Sequence, residues 1–527
     1  MRRIGWLVLI LGLSLLALTG CSQLAQTTPS AFDTLARWVP VDIDVPFFLD
    51  LKPDGDTGRH WERIRGQMEA NSVGQEALRS IYSQFKVEEY ELDEFIAGPA
   101  VTGYARGATY VILQVSDEGA VQNALSQHIE DGTWQQEEYE GKPLYYGRYR
   151  LSPSGERLAW TIHDGLLFLC YSSSYGQDAL TLLKDIVSLA QADSLGALPA
   201  WQTLRDRLPE APMGLIFANV AEQTGGASAS DSDTSLGTAL SQQIVAVALA
   251  AVPEDEGMRV EIAGLVALQP DASPDLRALF DLLSPVDPTV WTGLPADTAI
   301  ALVAHDAHAH WPWLMEAFFN PDSLAQLRDV IGLDLEEDLA GADGPLSGDF
   351  AVAITPPLPE QPISQGLPAG QLLILAQDAS QAQMADVQAA MESRGAVFGP
   401  GEVSGVALQT QVGTELSGYA IAYGFADDRL LFGSSPSIIG QGVAAQREGN
   451  GLVTTPSFRA MLATLREDPS LLFYFNSRAL SSLLQANMTE EQYQRPEYLL
   501  LEPFEAIGLG LRLQPDRLDG VLYFFVE

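Results

Sequence analysis

Cysteine is nearly absent: 527 residues carry only Cys21 and Cys170. A disulfide framework is therefore excluded, and a large apolar core must supply the stability. Basic residues are also few, 29 Lys and Arg against 69 Asp and Glu, for a formal charge of −40. Such a field repels phosphate backbones, which argues against nucleic-acid binding. The acidic residues are scattered rather than massed in a tail, as expected for a soluble surface. Beyond residue 18 no stretch reaches the length of uninterrupted apolar residues that a spanning helix needs. The chain also lacks a Gly-x-Ser-x-Gly elbow, a Walker loop, His-Glu-x-x-His, a Cys-x-x-Cys pair and a dinucleotide glycine fingerprint. No catalytic residue is assigned and no cofactor is expected.

What is present begins at the N-terminus. Arg2 and Arg3 precede an apolar run, Ile4 to Leu18, and Leu18-Thr19-Gly20-Cys21 follows. The arrangement reads as a secretory signal ending at a lipidation cysteine. It resembles the lipobox of bacterial lipoproteins, in which the cysteine thiol is acylated and the signal is removed before it. The resemblance implies a protein tethered by an N-terminal lipid to the extracytoplasmic side of a bacterial envelope membrane. The second cysteine lies in Leu166–Tyr171, an apolar strand-like run, and reads as a small buried hydrophobe.

The apolar fraction of 46% excludes global disorder. An internal repeat of about 255 residues organises the chain. Val39–Val45 matches Leu294–Ile300, and Ala108–Gln114 matches Gly370–Ala376, each of the latter followed by an Ala- and Gln-rich helix. The hairpin from Ala159 to Tyr171, turning at Asp164-Gly165, matches Ser417 to Ser434. Pro199–Asn219 matches Pro456–Asn476 without a gap. Hairpins with intervening helices predict an α+β fold: two similar tandem units, each a mostly antiparallel sheet with helices packed on one face. The expected division is a signal peptide at 1–20, a lipidated tether at 21–38, a first unit at 39–271, a connecting helix and linker at 272–292, and a second unit at 293–527.

Three clusters invite chemistry. His305, Asp306, His308 and His310 hold half of the six histidines, and imidazoles with a carboxylate suit zinc. Neither a strand nor a helix brings all four together, so an exposed loop is the simpler reading. Asp50, Asp54 and Asp56 surround a glycine turn and offer oxygen ligands, but the spacing is not that of a calcium loop. Asn219 and Asn476 end matching strands and suit turn caps. Trp38, Trp201, Trp291, Trp311 and Trp313 read as core anchors.

Leu294–Thr298, Leu335–Leu339 and Ser347–Ala353 resemble the bacterial family catalogued as domain of unknown function 3352. The resemblance implies an extracytoplasmic protein and carries over no catalytic residue. The leading expectation is a non-enzymatic envelope lipoprotein that binds a partner protein or ligand between or across its halves. The alternatives are a carrier of a small apolar ligand such as a lipid, and a metal-dependent hydrolase built on His305–His310.

Overall fold

In a computed structural model, the described residues run from 31 to 526. They exclude 43–44, 71, 88–89, 151–155, 173–178, 221–242, 268–283, 309–327, 330–331, 342, 358–369, 413–419, 466 and 488–503. They form two compact units, one closing at Ala267 and the other following from Leu268. The expected signal peptide, Cys21, His310, Trp311, Trp313 and most of the expected connecting segment lie outside the described residues. Among those described, no helix is long and apolar enough to cross a membrane.

The first unit contains β1 (Phe47–Asp50), β2 (Ile96–Ala105), β3 (Ala108–Val115), β4 (Gln135–Tyr139), β5 (Lys142–Arg148), β6 (Arg157–His163), β7 (Leu166–Ser172), β8 (Gly214–Ala218), β9 (Ile244–Glu254) and β10 (Gly257–Val266). Every pairing is antiparallel, and the spatial order is β4-β5-β6-β7-β3-β2-β1-β8-β9-β10. Its helices are α1 (Ala31–Ala36), α2 (Gly55–Glu69), α3 (Ser72–Gln84), α4 (Glu118–Gln127), α5 (Ala179–Val187) and α6 (Pro199–Arg205).

The second unit contains β11 (Ile300–His305), β12 (Asp349–Thr355), β13 (Gln371–Ala376), β14 (Phe398–Val403), β15 (Val406–Gln411), β16 (Ala422–Ala426), β17 (Arg429–Gly433), β18 (Leu471–Asn476), β19 (Ala506–Gln514) and β20 (Arg517–Phe525). The order is β14-β15-β16-β17-β13-β12-β11-β18-β19-β20, again antiparallel throughout. Its helices include α7 (Gln381–Ser393), α8 (Pro436–Glu448), α9 (Pro456–Thr464) and α10 (Ser477–Asn487).

Local chemistry sets the hairpins. Asp164 and Gly165 have φ of 53° and 73°, and Asp427 and Asp428 have 49° and 61°. Two successive left-handed residues make a turn whose twist matches the flanking strands. Helix starts are equally legible. Ser380 and Gln383 form a reciprocal capping box at α7, and proline occupies the first turn of α6, α8 and α9.

The fold is α+β as expected, but the helices do not lie on one face. In the second unit Leu373 and Leu375 share a core with Ile438, Ile439 and Val443 of α8 and with Phe458 and Met461 of α9. The alternate residues Ile374 and Ala376 share another core with Met384, Val387 and Met391 of α7. In the first unit Phe48, Tyr110, Ile112 and Phe168 pack with α1, α5 and α6. Phe47, one residue from Phe48, instead meets Phe85 just past α3, with ring centroids 5.5 Å apart. The cause is the continuous apolar character of the central strands, which present a hydrophobic surface on both sides. Each such leucine or phenylalanine contributes roughly 1.5–3 kcal/mol when fully buried.

Candidate functional site

β11 ends at His305, which sits directly opposite Asp349, the first residue of β12. That register places His305 Nδ1 2.7 Å from Asp349 Oδ1. The other carboxylate oxygen accepts a hydrogen bond from the Asp287 backbone N–H at 2.7 Å. Asp349 therefore ties the strand end to the segment entering this unit. The hydrogen bond to Asp349 raises the His305 pKa above its usual value; burial opposes it, and Asp349, Asp306 and Asp378 add charge attraction.

Asp306 does not converge on this pair. Its backbone is left-handed, with φ of 52°, and its N–H donates to the Gly348 carbonyl. Its side chain accepts from the His308 backbone N–H at 2.9 Å. The carboxylate thus closes a local turn. Among the described residues no group of three or more His, Cys, Asp or Glu side chains is placed to hold a metal. His310 lies outside them. The partner that sequence reasoning missed is Asp349, 44 positions from His305, visible only once the β11–β12 register is known.

The Asp50–Asp56 turn does not gather its carboxylates. Asp50 accepts from the Lys52 backbone N–H at 3.1 Å, and Asp56 pairs with Arg59 one turn along α2. Burial raises the Asp50 pKa, a shift opposed by its bond from Lys52. Asn476 caps α10 by accepting from the Ala479 N–H at 3.0 Å. Trp201 and Trp291 are buried, and Trp38 lies edge-on to Phe168 at 5.1 Å. Cys170 is fully buried, and burial drives its thiol pKa far upward.

Other ion pairs also fasten structure. Arg394 reaches Asp338 through both guanidinium nitrogens, at 2.6 and 3.1 Å, and donates to the Gly332 carbonyl. Asp338 in turn accepts from the Asp334 backbone N–H. The group locks a π-type turn, Leu335–Leu339, beside α7. Arg106, at the β2–β3 turn, spans Asp42 and Asp185, both at 2.7 Å.

The sequence profile of one family, described as "Protein of unknown function (DUF3352)", matches residues 102–509. No curated protein matches the chain. Among solved structures, crystal form III of TP0453 aligns at 10% identity and a TM-score of 0.25, covering 49% of this chain and 86% of that one. Crystal form I of the same protein gives 10% and 0.26, covering 49% and 84%. At such scores the likeness carries no structural argument.

Proposed function

This chain belongs to the DUF3352 family of proteins of unknown function, and from that premise we propose that it is a lipid-anchored envelope protein that binds a partner rather than catalysing a reaction. One observation carries the anchoring: small residues and then Cys21 directly follow a charged and apolar leader. A doubly or triply acylated cysteine holds a protein at a membrane essentially permanently, since each buried methylene contributes about 0.8 kcal/mol. The binding reading is supported by how ionisable side chains are used. The carboxylates of Asp349, Asp306 and Asp338 are each committed to backbone N–H groups of turns and strand ends. Groups so employed fasten turns and strand ends.

We also infer that the two units arose by duplication. What supports this is their strand order, which coincides when ten is added to each number of the first unit. Phe47 pairs with Ile216, and Leu302 pairs with Phe473; the sequence repeat sets these pairs on each other. One refinement follows. Aligning the turns Asp164-Gly165 and Asp427-Asp428 sets Phe168 on Leu431. Their partners Ile112 and Leu375 then correspond, one residue away from the Ile112–Ile374 match read in sequence. A one-residue slip exchanges the faces of a strand, so the register decides.

The anchoring reading is tested by fractionating cells that express Cys21→Ala. The variant should leave the membrane fraction or accumulate as precursor. Unchanged membrane retention with normal processing contradicts it.

A further inference from the structure

At the β4 edge of the first unit the two faces of the sheet differ in charge. Cross-strand register sets Gln136 opposite Tyr145 and Glu138 opposite Pro143, and Tyr145 opposite Trp160. Trp134, Gln136 and Glu138 therefore share one face with Pro143, Tyr145, Leu158, Trp160 and Ile162. Lys142, Arg148, Arg157 and His163 alternate onto the other, where Glu137 pairs with Lys184 at 2.5 Å. On the first face Glu138 is the charged residue of these three strands, it is exposed, and it makes no ion pair among the described residues. Three rings gather on the same face, in and next to the row of Gln136. Trp134 and Trp160 have centroids 5.0 Å apart, Tyr145 stacks on Trp160 at 5.6 Å, and Trp134 lies 5.6 Å from Tyr145. Trp160 is fully buried and supports the others, whereas Trp134 is 37% exposed, unusual for so large an apolar side chain in this fold. The indole N–H of Trp160 finds no acceptor among the described residues.

We propose that Trp134, Tyr145 and Glu138 form a docking site for a basic peptide segment of a partner protein, one arginine guanidinium stacking on the exposed Trp134 ring and a neighbouring basic residue of the same segment facing Glu138. Charge complementarity selects this occupant. Aromatic faces attract cations, tryptophan most strongly, and planar guanidinium stacks on them. A basic residue would normally neutralise such a face, and the strands place theirs on the opposite side. The chain's formal charge of −40 also favours the encounter with a basic partner. The surface is rigid, because Trp134 and Tyr145 rest on a buried third ring, so little ordering opposes binding.

The proposal rests on the partner-binding reading above and specifies it. Its test is a calorimetric titration of the full-length protein with acetyl-Gly-Arg-Gly-Arg-Gly-amide, against the same peptide carrying citrulline. Saturable binding of the arginine peptide is expected, with at least tenfold weaker binding of the citrulline peptide. Trp134→Ala should abolish it, Trp134→Phe should restore much of it, and Glu138→Gln should weaken it about fivefold. Glu76→Gln removes an equal charge from α3 and should change little. Equal weakening by Glu76→Gln and Glu138→Gln would mean general attraction to an acidic protein and overturns the site. So would equal binding of both peptides, or full binding by Trp134→Ala with an unchanged melting temperature. Failure here leaves membrane anchoring through Cys21 standing, since fractionation reads that separately.

Discussion

His305 is the residue whose charge state the fold most visibly uses. Its pKa is raised by Asp349, so its contribution to stability is complete below about pH 6.5, the unfolded value. That contribution is lost as pH rises through the higher folded value. Thermal melts of the wild type should therefore lose stability across that window relative to His305→Asn, which should show no such decline. A parallel pH dependence in both proteins contradicts the assignment. Cys170 gives a second check. Its thiol is fully buried and its pKa is driven upward, so in a Cys21→Ala background it should not react with a thiol reagent until the chain unfolds. Rapid labelling of the native protein would show that the Leu166–Ser172 strand is not where it is described. The composition of the histidine cluster was legible in the sequence. The role of His305 was not, because a carboxylate 44 residues away is brought near only by strand pairing. The Trp134 face was equally hidden. Its period-two spacing, Trp134-x-Gln136-x-Glu138, is visible, but its ring partners lie on two other strands.

Among the elements, the Asp164-Gly165 turn was the most legible, since its signal acts over two residues. At the β6–β7 turn, Gly165 has φ of 73°. Gly165→Ala should cost about 1–2 kcal/mol, and Gly165→Asn much less, because asparagine tolerates the left-handed region. Chemical denaturation measures both, and equal effects would mean the turn is not of this type. The layer arrangement was less legible. A continuous run such as Leu372-Leu373-Ile374-Leu375 does not reveal by itself whether one face or both are covered. Here both are, so Ile374→Ala and Leu375→Ala should each cost about 2–5 kcal/mol, the range for truncation in a packed core. A cost at Leu375 alone would restore the one-sided arrangement expected from sequence.

At the scale of the whole molecule, the duplication proposed above was readable in sequence because its clearest segment is gapless and carries proline and asparagine at fixed places. Its exact register in the second segment was not, since Ile, Leu and Val are interchangeable in such runs and only strand pairing fixes which face each takes. In each unit an antiparallel strand array with helices on both faces accounts for stability without disulfides. It does not by itself say where the protein works; that rests on the first 21 residues. The central claim is thus most directly tested by intact mass spectrometry of the protein extracted from bacterial membranes, followed by sequencing of its N-terminal peptide. The account predicts a chain beginning at Cys21 and heavier than its sequence by a diacylglycerol, with or without a third acyl chain. A chain retaining residues 1–20, or one beginning at an unmodified Cys21, would contradict it.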